Sequence, residues 1–451
     1  MKTRLSEIRT WVPGSSVKGD ASFEGVSTDS RTVGHGNLFV ALRGEHFDAH
    51  DFLPDIAAKG VAAVVAERLP DDFALPSLLV SDSRVALGEM AKNWRNRFSL
   101  PVIGVTGSNG KTTVKEMIAA ILHAAYGDGH FLATAGNLNN EIGVPQTLFR
   151  LDDTHRAAVI ELGMNHPGEI AWLAAVAQPT VGLVNNAQRE HQEFMINVEA
   201  VAKENGSVIR ALPADGVAVF PAEDAFAGLW DEYAREEGAR QIVTFGFSKE
   251  AVVRGQYDPA SGRLEIRMAG EPVSVQLAVI GQHNAHNALA AAACCYAIGV
   301  EDAVIVQGLE SFQPVNGRLQ KKTARNGAGL IDDTYNANPD SVLAAIDVLA
   351  TMDAPRVLVL GDMGEVGSEG ARFHEEVGAY AREKGIEHFY VLGELARYAA
   401  GAYGDKARHF GDIGQLMAGL REVVSPAATV LVKGSRFMKM ERVVNDLIEK
   451  E

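Results

Sequence analysis

Two cysteines in 451 residues, adjacent at Cys294 and Cys295, cannot build a disulfide framework or a thiolate metal site; on an alanine-rich helix they read as small buried apolar residues. Basic residues are also scarce. The 42 Lys and Arg stand against 58 Asp and Glu, a formal net charge of -16. That balance argues against non-specific nucleic-acid binding, because neutralising a phosphate backbone takes clustered cations. It leaves room for one local basic pocket. Long apolar runs are missing as well: "ALAAAACCYAIG" is the most apolar stretch and is too short to span a bilayer. No apolar segment follows the basic residues of "MKTRLSEIRTWVPG", so a cytoplasmic chain without membrane insertion is expected. What remains, 47% hydrophobic and 22% charged residues, is ordinary globular composition.

A chain this long exceeds one hydrophobic core, and three domains are expected. Residues 1–85 alternate short apolar runs ("NLFVAL", "VAAVVAE", "SLLV") with turns and one helical stretch, as in a small α/β domain. Within 86–313, "PVIGVTG", "AAVIELG", "TVGLVNN", "GVAVFP" and "QIVTFGF" are apolar runs without polar alternation, several separated by helical segments. That pattern predicts a parallel sheet covered on both faces. "VVRGQYDPASGRLEIRM" predicts a hairpin turning at "PASG". After the Pro and Gly of 314–317 the rhythm restarts in "GAGLIDDTY", "RVLVLGD", "HFYVLG" and "ATVLVKG", giving a C-terminal Rossmann-like α/β domain over 314–451. The fold class is α/β throughout.

"GVTGSNGKTTVKEM", 104–117, places a glycine-rich turn between an apolar strand and a helix whose apolar residues fall at 114, 117, 118, 121 and 122. Turn N–H groups and a helix N-terminus make an anion site, and Gly107 and Gly110 let the backbone approach oxygens. Around them, Ser108, Asn109 and Thr113 complete the loop, Lys111 can reach the β- and γ-phosphates, and Thr112 is placed to bind Mg²⁺. ATP or a close analogue is the expected ligand. Val105 stands where the common phosphate-loop pattern has Gly or Ala.

The loop "TGSNGKTT" resembles that of the Mur ligase family, ATP-dependent amide-bond-forming enzymes that include folylpolyglutamate synthases. Seven further segments in order extend the resemblance over essentially the whole chain: "TAGNLNNEIGVP", "IELGMNHPGEI", "GQHNAHNALAAAA", "VNGRLQ", "IDDTYNANPDS", "LGDMGEVG" and "VKGSR". "DDTYNANP" and "GDMGEVG" look like the branch that joins D-alanyl-D-alanine to a UDP-N-acetylmuramoyl tripeptide. The resemblance implies an acyl phosphate made from ATP, a Mg²⁺ cofactor, those two substrates as partners, and a monomer. Glu161, ending the strand of "VIELG", can complete a Mg²⁺ site with Thr112, although a glutamate after a strand is also compatible with a plain surface residue. His191 is implied as ligand to a second Mg²⁺.

Asn284 is implied as a nucleotide contact, although it and Asn287 could equally cap a helix. Arg318, forked and always charged, would clamp phosphate oxygens, and Asp332 or Asp333 could accept from ribose hydroxyls. Tyr335, Asn336 and Asn338 would lie near nucleotide or substrate. Lys433 and Arg436 could stabilise the acyl phosphate and its tetrahedral successor or hold a carboxylate; a solvated basic turn is the alternative. Ser30 and Arg31 in "VSTDSRTV" are implied for the UDP-sugar, with Asn137, Asn139 and Asn140 on the same side, though Asn-rich loops also simply turn.

One segment departs from the family. Many members carry a carbamylated lysine after the histidine, and here the spacing sets Asn205 at that position and Lys203 two residues earlier, roughly 200° away around a helix. Asn205 is expected there, with Lys203 an ordinary helix residue unless the helix register shifts. Another ligase of the family and a P-loop kinase or ATPase remain the alternative functions.

Overall fold

The structure is a computed structural model and describes residues 1–190 and 193–448. Its centre is a nine-stranded sheet. From one edge the strands run Phe131–Ala133, Ala157–Glu161, Val102–Thr106, Val181–Val184, Val217–Pro221, Gln241–Gly246, Val253–Asp258, Arg263–Arg267 and Val273–Gln276. All neighbours are parallel until the last two strands, which run antiparallel. The expected hairpin joins Val253–Asp258 to Arg263–Arg267, with Asp258 opposite Arg263 and Gly262 taking the left-handed turn conformation at φ 70°.

The chain leaves Val102–Thr106 for the strands on one side and later returns to Val181–Val184 on the other. This reversal opens a crevice at the carboxyl end of Val102–Thr106, where open α/β sheets bind ligands. The helix Lys111–Tyr126 follows directly and buries Val114, Met117, Ile118, Ile121 and Leu122, the face its periodicity predicts. Against it lies the helix Asp302–Ser311, so close that a Cβ on Gly308 would sit 2.3 Å from the Ile121 Cα. Cys294 and Cys295 are buried in the helix Gln282–Ala297, and burial pushes both thiols up from their usual range.

The C-terminal sheet has the order Gln320–Thr323, Gly329–Asp333, Thr429–Lys433, Arg356–Gly361, His388–Leu392, Ala407–Phe410, parallel except for the first strand. At its carboxyl edge Asp333 and Lys433 are direct register partners. The N-terminal part is a five-stranded sheet, Ser16–Lys18, Ser77–Leu79, Ala63–Ala66, Leu38–Val40 and Val26–Ser27, with a two-stranded ribbon of Lys2–Arg4 and Ser22–Glu24. These are the three α/β sheet systems expected.

The cores show how the parts are joined. One apolar cluster runs from Leu5, Leu38 and Val65 through Met90 and Trp94 of the helix Ser83–Arg95 to Ile160 and Leu173 on one face of the central sheet. The N-terminal sheet is therefore welded to the central one by shared burial. Two other clusters fill the faces of the C-terminal sheet and share no buried residue with the central ones. Among the described residues no helix is long and apolar enough to cross a membrane.

The Gly308 contact yields a stability test. Alanine in a helix is intrinsically better than glycine by about 1 kcal/mol, but here its methyl would meet backbone, and overpacking of that kind costs roughly 1–3 kcal/mol. Gly308→Ala should therefore lower the urea unfolding midpoint despite the better propensity. An unchanged or raised midpoint would show that the two helices separate freely.

Candidate functional site

A cavity of about 1030 Å³ lies where the carboxyl ends of the central and C-terminal sheets meet. Gly110, at the N-cap of Lys111–Tyr126, takes φ 81° and offers the helix no capping side chain. The first-turn amides at Lys111, Thr112 and Thr113 thus border the cavity with no side chain competing for them. Gly107, at φ 135°, has no room for a side chain, since a Cβ would come 3.0 Å from the Asn185 Cβ and 3.1 Å from two backbone nitrogens. Val105 is fully buried in the sheet core. The irregularity in the loop pattern is thus an interior strand residue, and the left-handed backbone falls on the two glycines.

The loop is held from behind by "NNAQRE". The Asn109 carbonyl accepts from Asn185 Nδ2 at 2.8 Å and Asn186 Nδ2 at 3.0 Å, while Asn109 N donates to Asn186 Oδ1 at 2.8 Å. Gln188 N donates to Ser108 Oγ at 2.8 Å, and Gln188 Oε1 accepts from Asn109 Nδ2 at 2.6 Å. Asn287 completes the frame by accepting from Asn185 Nδ2 at 2.9 Å, and its own Nδ2 donates to Asn284 Oδ1 at 3.2 Å. Asn284 is thus buried in this network and borders the cavity. Lys111 Nζ donates to the Gly107 and Ser108 carbonyls and lies 3.4 Å from Glu190 Oε2. Glu190, a buried cavity carboxylate, escapes the sequence reading because nothing local marks it.

Glu161 is buried at the end of its strand. Its Oε1 accepts from Thr112 Oγ1 at 3.1 Å and Asn139 Nδ2 at 2.8 Å, and its buried Oε2 has no hydrogen-bond partner. A hydroxyl beside a carboxylate with one unsatisfied oxygen fits Mg²⁺, which takes few protein ligands and fills its octahedron with phosphate oxygens and water. No cluster of three His, Cys, Asp or Glu able to hold a metal occurs among the described residues, and His191 lies outside them. Asn137 and Asn140 border the cavity beside Asn139, and Asn140 Oδ1 also accepts from Ile142 N and Gly143 N, ordering the turn into the helix Gly143–Leu148.

The opposite wall comes from the C-terminal domain. Arg318 Nη2 reaches Thr112 Oγ1 at 3.0 Å while its guanidinium lies 4.1 Å over the Tyr335 ring. Its buried Nε has no hydrogen-bond partner. Asn338 caps the helix Pro339–Ala350 and donates to Asn109 Oδ1 at 2.8 Å. Lys433 Nζ is buried between Asp333 Oδ2 at 2.6 Å and the Asn336 carbonyl at 2.9 Å. Ser435, missed in the sequence, ties Gly364 N to the Ala337 carbonyl and so locks two cavity loops together.

Four expected residues lie elsewhere. Asp332 is the strand neighbour of Asp333 and faces the other way, accepting from Lys322 Nζ at 2.6 Å and from Thr334. Arg436 is exposed and pairs with Glu441 at 3.2 Å, outside the cavity. Arg31 is exposed and forked onto Asp29, holding that carboxyl down to about 2, while the Ser30 carbonyl takes Lys59. The N-terminal wall of the cavity is formed instead by Glu45 and by Arg84, which pairs with Glu141 at 3.2 Å. In the helix Val198–Arg210, Lys203 is exposed and pairs with Glu199 at 2.6 Å, whereas Asn205 is buried and accepts from Thr106 Oγ1 at 2.5 Å.

At the far end of the cavity His286 lies 4.9 Å from the Phe245 ring and 6.0 Å from Phe247, with Pro221 nearby, an apolar planar wall suited to an aromatic base. Desolvation lowers the His286 imidazole and pushes His283 down to about 4.

Three family models match the chain: "Mur ligase family, catalytic domain" over 22–95, "Mur ligase middle domain" over 105–295, and "Mur ligase, glutamate ligase domain" over 317–436. The UDP-N-acetylmuramoyl-tripeptide–D-alanyl-D-alanine ligase of Escherichia coli K12 is 39% identical over 451 residues, covering 99% of this chain and 98% of that one. A crystal structure of MurF from Acinetobacter baumannii superposes with a TM-score of 0.92 at 33% identity, covering 100% of this chain and 99% of the other. MurF from Thermotoga maritima in complex with ADP gives a TM-score of 0.84 at 26% identity, with 94% and 97% covered.

Removing one Glu161 oxygen tests the metal site directly. Glu161→Gln should weaken Mn²⁺ binding, measured by electron paramagnetic resonance with a non-hydrolysable ATP analogue present, by about tenfold or more, equivalent to about 1.4 kcal/mol. Unchanged Mn²⁺ affinity would remove Glu161 from the metal's ligands.

Proposed function

Because this chain belongs to the Mur ligase family, we propose that it joins D-alanyl-D-alanine to a UDP-N-acetylmuramoyl tripeptide at the expense of ATP, completing a pentapeptide precursor of peptidoglycan. The observation that carries this reading is Arg318 reaching Thr112 across the cavity. A phosphate loop met by a cation from a second domain suits transfer of a phosphoryl group to a bound carboxylate rather than to water.

The reaction runs in two steps. The tripeptide's terminal carboxylate attacks the γ-phosphorus, ADP leaves, and an acyl phosphate forms. The dipeptide amine, having lost a proton, then attacks the acyl carbon, and phosphate leaves as the amide forms. In the first step Lys111 and the first-turn amides hold the β- and γ-phosphate oxygens, and Arg318 takes up charge on the transferring group. Mg²⁺, when bound, neutralises phosphate charge at Thr112 and Glu161, with His191 proposed for a second ion.

In the second step Lys433, aimed by Asp333 and the Asn336 carbonyl, stabilises the oxyanion of the tetrahedral intermediate. The His286 and Phe247 wall takes the adenine, Asn137, Asn139 and Asn140 border the path of the UDP-tripeptide, and the cavity loops keep water from the acyl phosphate. A monomer in the cytoplasm suffices for this chemistry.

Incubation with ATP, UDP-muramoyl tripeptide and D-alanyl-D-alanine, read by mass spectrometry, should yield the pentapeptide, with ADP formation that requires both the carboxylate and the amine. ADP released without either acceptor would make the protein an ATPase, and a product with a different amino acid would make it another ligase of the family.

Lys203 makes a second check. An exposed helix lysine usually contributes under about 0.5 kcal/mol, so Lys203→Ala should turn over within a few-fold of the parent, and bicarbonate should change nothing. A large defect tied to bicarbonate would make Lys203 a catalytic carbamate.

A further inference from the structure

The seam between the central and C-terminal domains is polar where the other seam is apolar, and one residue dominates it. Arg189 sits between Gln188 and Glu190, both of which touch the phosphate loop, yet its own donors all turn the other way. Its backbone N donates to Asp340 Oδ2 at 2.8 Å, Nε to Asp340 Oδ1 at 3.0 Å and Nη2 to the same oxygen at 2.6 Å. Nη1 donates to Glu376 Oε2 at 2.7 Å, Nη2 to Glu376 Oε1 at 3.0 Å, and the guanidinium lies 5.4 Å from the Phe373 ring.

Asp340 lies in the first turn of Pro339–Ala350, the helix whose N-cap, Asn338, is bonded to Asn109 of the loop. Two independent connections from the phosphate loop therefore land on one helix end. Two carboxylates saturate the Arg189 charge, so it is poorly suited to bind an anionic substrate although it borders the cavity.

We propose that Arg189 is the positioning residue that seats the C-terminal domain on the phosphate loop, so that the loop and the Lys433 side of the cavity are set as one unit. A planar fork can hold two carboxylates at fixed angles, and a lysine cannot. Loss of the fork should leave the UDP-tripeptide surfaces, which belong to the welded N-terminal and central parts, nearly untouched, while the transferring groups fall out of line.

The test has two arms, of which only the kinetic one rests on the ligase reading. In small-angle scattering, Arg189→Ala should give a larger radius of gyration than the parent with an ATP analogue present, and its affinity for that analogue should fall. In turnover, kcat should drop roughly 10- to 100-fold, as misplacement of about an ångström does, while KM for UDP-tripeptide stays within about twofold. Arg189→Lys should fall between. If Arg189→Ala does not fold, Glu376→Gln, which keeps the Asp340 bonds, decides by the same readouts with changes in the same direction. A parent-like scattering profile or a parent-like kcat in the folded variant overturns the proposal. If the parent itself makes no amide, the ligase reading fails and the scattering and affinity arm still judges Arg189.

Discussion

The cavity depends on a loop that must present bare amides forward and be fastened from behind. Gly110 withholds a cap from the helix Lys111–Tyr126, and the cost of that choice is a turn with almost no side-chain mass to hold its shape. Asn109, Asn185, Asn186, Gln188 and Asn287 supply the shape instead, through hydrogen bonds of their side-chain amides. Such a frame is neutral, so it adds no charge to compete with the phosphates it helps to place.

The cavity's cations are each held by a neighbour. The chain carries a formal -16, yet Lys111, Arg318 and Lys433 converge where anionic substrate groups would meet. Each is aimed by a neighbour: loop carbonyls and Glu190 for Lys111, the Tyr335 ring for Arg318, Asp333 for Lys433. A buried charge left alone is costly, so these partners hold the cations in place. The same logic separates the two domain seams. Shared apolar burial makes a permanent joint, whereas ion pairs of half-exposed groups make one that can open and reform.

The parts of this arrangement that were legible in the sequence are those written locally. A strand, a turn and a helix in continuous order announce an anion site, and the periodicity of 114 to 122 gives the buried face. Glu161 is legible because it ends a neighbouring strand of the same sheet. Arg189 is not, because its partners lie 151 and 187 residues away and a lone arginine in a loop carries no sign of them. Arg31 and Arg436 lie away from the cavity for the opposite reason. Each is captured by an acid two or five residues away, Asp29 and Glu441, and that nearness was visible in the sequence. Asp332 and Asp333 were separable by strand alternation alone, since neighbours on a strand face opposite ways.

An amide frame also sets how the protein ages. Asn and Gln side chains are the thermolabile ones, slowly hydrolysing to carboxylates on heating. Five of them surround the phosphate loop, one immediately before a glycine at Asn109–Gly110. Conversion of any one replaces a donor with a negative charge beside the anion site, while the apolar clusters that hold the fold are untouched. Hydrolysis of such an amide would therefore alter the anion site without touching what holds the fold together.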